Sequence, residues 1–133
     1  MPNTPIAGLI YFAIVFTAAF AIGVLRTLVI APVIGDVIAV LIEVPIVLTL
    51  SWWVCAWVLR HFAVPRASGR ITMGVFAFAL LMGAEVLLSL LIGHRTVAEH
   101  FALFRTAPVL IGLLGQIGFA VIPLLQRRIY SAV

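Results

Sequence analysis

Two glutamates stand alone inside apolar stretches that are long enough to cross a lipid bilayer. Glu43 interrupts one such stretch and Glu85 interrupts another. A charged side chain near the centre of a membrane costs about 2.5–3.5 kcal/mol on insertion scales, so each carboxylate needs a partner or a function. Two chemistries fit this pattern: an ion pair that joins two helices, and a site that binds a proton, a cation or a small ligand.

Basic and amide side chains complete this candidate site. At 1.5 Å of helix rise per residue, Arg26 and Glu43 both lie roughly 8–11 Å below the same membrane surface, on either side of one turn. We therefore expect them to pair. Glu85 lies at a similar depth, and two adjacent carboxylates would require a basic group, from Arg26 or Arg105. The candidate ligand- or ion-binding residues are Glu43, Glu85, Arg26, Arg105, Ser89 and Gln116.

The turn before the second apolar stretch contains residues that interrupt helices. Pro32 and Gly35 mark the turn, and Asp36 is predicted to be an N-cap because its carboxylate can accept from exposed backbone N–H groups. Pro45 removes one main-chain hydrogen bond beside Glu43. Two interpretations of Pro45 stay open: an ordinary kink, and a freed carbonyl that belongs to a cation site or gate.

The connection before the last apolar stretch has its own local signals. Thr96 and Glu99 form a capping box, which predicts a short helix over about 97–104, lying at the membrane surface as a lid. His94, Glu99 and His100 include metal-ligating types. Their spacing matches no established ligand signature, so we expect solvated side chains and no metal site.

Motifs for covalent catalysis are not found. Ser51 and Ser89 have no histidine nearby in their stretches, and neither a Gly-x-Ser-x-Gly nor a His-Glu-x-x-His motif occurs. An enzyme is conceivable only through the glutamates and their neighbouring basic groups, and no cofactor is indicated. Cys55 is the single cysteine, so it has no partner for an internal disulfide.

These groups must be positioned by membrane-spanning helices. Of 133 residues, 65% are apolar and 9% are charged, whereas soluble domains are about 45–50% apolar and 25% charged. A bilayer core needs roughly 20 apolar residues as helix, which predicts an all-α four-helix membrane bundle in a single domain, residues 1–133. A nucleic-acid partner is not expected, because the arginines form no clustered basic surface. The spans are predicted at about 6–25, 37–59, 71–92 and 107–125.

The distribution of arginine predicts orientation. Five of the eight basic residues fall on the side of the termini, which by the positive-inside rule places both termini in the cytoplasm of an inner-membrane, multi-pass protein. The first apolar run lacks the basic start of a signal peptide, so we expect it to be kept as a span.

Small residues predict helix contacts, because they let helix backbones approach closely in lipid. Faces of this kind occur in the first and fourth spans, at Ala13, Thr17 and Ala21 and at Gly112, Gly115 and Gly118. Our leading hypothesis is accordingly a subunit or accessory protein that packs with copies of itself or with a larger membrane complex. The alternative is a homo-oligomeric channel or carrier for a small ion or solute, in which Glu43 and Glu85 bind protons or cations.

Overall fold

The described residues fold into four long α-helices and two short ones, with one π turn and one 3₁₀ turn. A computed structural model describes residues 4–62, 64 and 66–131, with side chains as far as residue 126, and no strand occurs among these residues. Four helical segments are long and apolar enough to cross a membrane, which confirms the predicted all-α four-helix bundle. The α-helices are α1 Thr4–Leu25, α2 Ala31–Ile34, α3 Asp36–His61, α4 Ala67–Leu91, α5 Val97–Ala102 and α6 Ala107–Ser131.

The first span is longer than predicted. A π-helical turn, Arg26–Ile30, joins α1 to α2, so one helical segment of 31 residues runs to the turn at Gly35. Pro32 was expected to mark the end of the span, but the wider π turn precedes it and closes with a bond from the Ala31 N–H to the Arg26 carbonyl. Pro32 lies in the first turn of α2, directly after this π turn. A residue that lacks an N–H is tolerated in the first turn of a helix.

The predicted N-cap is displaced by one residue. Gly35 occupies the N-cap position of α3, with φ of 90° and ψ of 158°, and Asp36 is the first helical residue, without a side-chain capping bond. The prediction for Asp36 was wrong because the sharp turn requires a positive φ, which favours glycine. The Asp36 carboxylate still lies in the first helical turn, where a negative charge is favourable.

The four long helices form a square arrangement. Both α1 and α6 pack against α3 and α4. Consequently α1 and α6 lie on one diagonal, while α3 and α4, although consecutive in sequence, lie on the other. We call the end that holds the start of α1 and the end of α6 the terminal end, and the opposite end the cavity end.

The terminal half of the bundle is tightly closed. A Cβ atom placed on Gly74 of α4 would overlap the carbonyl oxygen of Ala120 of α6, at a separation below the 3.0 Å that real Cβ atoms require. The rings of Tyr11 and Phe119 stack across the α1–α6 diagonal, with centroids 4.3 Å apart. Together these contacts close the bundle axis.

A proline explains why Tyr11 is placed here. Pro123 in α6 has no N–H to donate to the carbonyl of Phe119, four residues earlier. The Tyr11 hydroxyl donates to that carbonyl instead, at 2.6 Å, and Tyr11 is completely buried. The carbonyl of Pro123 itself accepts from Nη1 of Arg70 at 3.1 Å. Side chains from α1 and α4 therefore bond main-chain carbonyls of α6 at and before its proline.

The two small-residue faces have different outcomes. Gly115 and Gly118 of α6 pack against Val44 and Leu48 of α3, which confirms the prediction for these glycines. Gly112 has open space beyond its Cα and lines a cavity. The face on α1, at Ala13, Thr17 and Ala21, is exposed, so its contact with another helix stays a prediction.

Candidate functional site

A cavity of about 710 Å³ lies between the four spans in the half of the bundle next to the cavity end. This volume is within the range of about 300–1,000 Å³ that is typical of small-molecule sites. Most of the lining is apolar, and Phe119 lines the cavity where it meets the closed terminal half. The polar residues that line it are Arg26, Thr27, Glu43, Glu85, Ser89, Arg95, His100 and Gln116.

The Arg26–Glu43 contact expected from the sequence is present. Arg26 Nε lies against Glu43 Oε2, and the two side chains are 27% and 17% exposed. The contact is a charge pair between a guanidinium and a carboxylate. Arg26 begins the π-helical turn, so the local widening of the first span places this guanidinium at the cavity wall.

Glu85 is held by an amide and not by an arginine. Gln116 Nε2 of α6 donates to Glu85 Oε1 of α4 across the cavity wall. No basic side chain of the described residues lies within 4.0 Å of Glu85, so the expected bridging arginine is not seen. The structure thus brings five of the six candidate residues to one cavity: Arg26, Glu43, Glu85, Ser89 and Gln116.

Arg105 is the candidate that lies elsewhere. It is exposed at the end of the short 3₁₀ turn Leu103–Arg105 and does not line the cavity. Arg95 lines it instead, and its Nη1 donates to Ser89 Oγ at 3.3 Å. The chain reverses at His94, which has φ of 54°, and the Arg95 N–H bonds to the Ser89 carbonyl at 3.1 Å.

The predicted capping box is confirmed. Thr96 Oγ1 accepts from the Glu99 N–H at 3.1 Å, and the Thr96 N–H donates to Glu99 Oε1 at 3.0 Å. The bond from the Thr96 backbone holds the pKa of the Glu99 carboxyl below its usual value, with smaller contributions from the Thr96 side chain and Arg95. The α-helix ends at Ala102, and the 3₁₀ turn then continues to Arg105.

His100 was expected to be solvated, and that prediction is wrong. It is 7% exposed, and its Nδ1 atom has no hydrogen-bond partner. The His100 ring lies against the rings of Phe101 and Phe104. His100, Leu103 and Phe104 line the cavity, so the short helix and its 3₁₀ turn form a cover at one side.

Metal-binding geometry is not seen in the described part of the chain. No group of three His, Cys, Asp or Glu side chains there is arranged to hold a metal ion. No family model, curated protein or solved structure matches the sequence. Fold and cavity define the class on their own: a small multi-pass membrane protein with four spans.

Proposed function

We propose that this protein is a membrane carrier that binds a small organic solute in the cavity between its four spans. The observation that supports this function is the volume of about 710 Å³ with charged and amide groups on its wall. A helix bundle that served only as a packing subunit would gain nothing from such a space, because unfilled volume removes favourable contacts.

The closed terminal half favours a carrier over an open channel. The Tyr11–Phe119 stack and the close approach at Gly74 leave no continuous path along the axis. A solute held in the cavity would therefore cross only if the helices rearranged. Pro45 and Pro123 lie inside two of the spans, and the π turn interrupts a third, which gives three places where a helix can bend.

Glu85 is the best candidate for the group that attracts the solute. Glu43 is already neutralised by Arg26, whereas Glu85 receives only a neutral amide hydrogen bond. A carboxylate without a basic partner in an apolar cavity favours a bound cation, because the cation would supply the missing charge. The solute class is accordingly an organic cation or zwitterion.

Solute flux into proteoliposomes tests this function. Stopped-flow light scattering reports the swelling that follows uptake, with choline, 4-aminobutyrate, isethionate and sorbitol as cationic, zwitterionic, anionic and neutral probes. We expect uptake of choline or 4-aminobutyrate, and its loss in Glu85→Gln. Glu99→Gln is the matched control, because Glu99 is exposed and does not line the cavity. Uptake of neither probe, or full uptake by Glu85→Gln, would refute the carrier.

A second candidate function is a subunit of a homo-oligomer or larger membrane complex. It is supported by the exposed small-residue face of α1, at Ala13, Thr17 and Ala21, which no part of the described chain covers. Native mass spectrometry of protein released from lipid nanodiscs tests it. Ala13→Leu together with Ala21→Leu should shift an assembly toward monomer, and a wild-type monomer without partners would exclude this function.

The inner-membrane location, with both termini in the cytoplasm, is likewise a proposal that is supported by the arginine distribution. It predicts that the cavity end faces outward. In a Cys55→Ala background, a membrane-impermeant thiol reagent added to intact cells should label Asp36→Cys and not Arg60→Cys, since both positions are exposed. The opposite labelling pattern would reverse the orientation.

A further inference from the structure

The cavity contains an acidic and a basic group that are not paired with each other. Within the described residues, neither Glu85 nor Arg95 has an oppositely charged side chain within 4.0 Å. Arg95 uses one of its N–H groups on Ser89 Oγ, which lies one helical turn beyond Glu85 on α4. Because guanidinium offers five donors, most of its capacity is unused by this bond.

His100 is the second observation, and it is independent of Arg95. It is 7% exposed, it lines the same cavity, and its buried Nδ1 has no partner. A buried polar atom without a hydrogen bond is unfavourable, and a ligand that bonded to it would remove that cost. The neighbouring Phe104 ring also lines the cavity, so this polar atom lies beside an apolar surface.

The two groups lie at different depths. Four residues of helix separate Glu85 from Ser89, which corresponds to about 6 Å along the axis of α4. Arg95 is bonded at the level of Ser89, and the cover that bears His100 follows the end of the same helix. The acidic group is therefore the deeper one, and the basic groups lie nearer the cavity end.

We propose that the solute is a zwitterion, with its cationic group at Glu85 and Gln116 and its carboxylate or phosphate at Arg95 and His100. This inference rests on the proposed function, because it specifies which solute the carrier binds. The cationic end supplies the charge that Glu85 lacks. The anionic end accepts from Arg95 and, through the imidazole N–H, from His100. An apolar chain between the two ends matches the largely apolar wall.

The test compares zwitterions of increasing length with analogues that carry a single charge. Purified protein in detergent is heated with 4-aminobutyrate, 6-aminohexanoate or 8-aminooctanoate, whose charges are separated by increasing numbers of methylene groups. The melting temperature is followed by tryptophan fluorescence, and it rises with ligand concentration when the folded state binds. N-acetyl-6-aminohexanoate carries only the anion, and methyl 6-aminohexanoate carries only the cation.

We expect at least one of the three amino acids to raise the melting temperature, with half-maximal effect at a concentration tenfold or more below that of either single-charge analogue. Arg95→Ala and His100→Phe should each weaken this binding tenfold or more, and Arg95→Lys should restore most of it. Arg105→Ala is the matched control, since Arg105 belongs to the same connection but lies outside the cavity. If Arg95→Ala melts below wild type without ligand, Arg95→Lys decides the question.

Equal binding of an analogue that carries a single charge would overturn the zwitterion, and so would no binding by any of the amino acids. The two proposals fail separately. Uptake of choline without binding of the amino acids would leave the carrier and remove this ligand class. Binding of 6-aminohexanoate without any flux would leave the ligand site and remove the carrier.

Discussion

The hydrogen bond from Tyr11 to α6 should be strongly coupled to the proline that makes it necessary. Tyr11→Phe keeps the ring that stacks on Phe119 and removes only the hydroxyl, which donates to the Phe119 carbonyl at 2.6 Å. In the wild-type helix that carbonyl has no i+4 donor, because residue 123 is proline. With Pro123→Ala, the alanine N–H can supply the bond.

The magnitude follows from where the carbonyl lies. Hydrogen bonds between membrane helices contribute about 0.6 kcal/mol on average and about 1.7 kcal/mol at most. Tyr11 is completely buried and Phe119 is 2% exposed, so neither water nor lipid headgroups can replace the donor. We expect Tyr11→Phe to cost about 1–2 kcal/mol in the wild-type background and less than about 0.5 kcal/mol in the Pro123→Ala background.

A double-mutant cycle measures this coupling. The four proteins are unfolded reversibly in mixed micelles by increasing the fraction of sodium dodecyl sulfate, and the free energy of unfolding is compared. Thr17→Val is the control for loss of a hydroxyl, since Thr17 donates to the Ala13 carbonyl of its own helix on an exposed face. Equal costs of Tyr11→Phe in both backgrounds would refute the reasoning.

Three further predictions use the same unfolding measurement or a simple titration. Gly74→Ala should cost about 1–3 kcal/mol by forcing α4 away from α6, whereas Gly83→Ala, which meets open space on the same helix, should be neutral or stabilising; equal effects would argue against the close contact. Arg26→Met should destabilise the protein more than the double change Arg26→Met with Glu43→Leu, because the single change leaves the Glu43 charge without its partner. The loss of unfolding free energy in Arg26→Met should be below the roughly 3–5 kcal/mol of a fully buried pair. A larger loss in the double variant would contradict this prediction. The pKa of Glu99 is lowered in the folded protein, so its capping contribution is complete above the usual carboxyl pKa and disappears as pH falls through the lowered value; NMR titration of Glu99 should show this depression, and an ordinary pKa would contradict it.

The spans could be predicted from the sequence because bilayer thickness sets the length of a transmembrane helix. The windows at 37–59 and 107–125 each fall inside one observed helix, and the window at 71–92 extends one residue beyond the end of α4. The Arg26–Glu43 contact could be predicted for a similar reason, since equal helix rise on both sides of a turn places the two residues at one depth. The capping box was accessible because its two bonds are local.

Contacts that depend on how the chain turns could not be predicted. Arg95 follows His94, whose positive φ turns the chain so that the Arg95 N–H bonds to the Ser89 carbonyl, and the sequence did not predict that conformation. His100 is buried because the cover packs its histidine face inward. The sequence analysis considered His100 only as a metal ligand or a solvated side chain. The one sequence feature that could have indicated a buried His100 is its position next to Phe101, on a short helix that was expected to cover the bundle.

The cavity follows from an asymmetry between the two halves of the bundle. In the terminal half, glycines let the helices pack closely. A Cβ atom added to Gly8 would lie 3.1 Å from the Met73 carbonyl oxygen, and Gly74 lies against α6. Toward the cavity end, the first span widens into a π turn and Gly112 leaves space unfilled. Helices that are held at one end and relaxed at the other enclose a volume only in the relaxed half. The polar residues of the candidate site fall in that half, so the backbone creates the space and these side chains determine what it can bind.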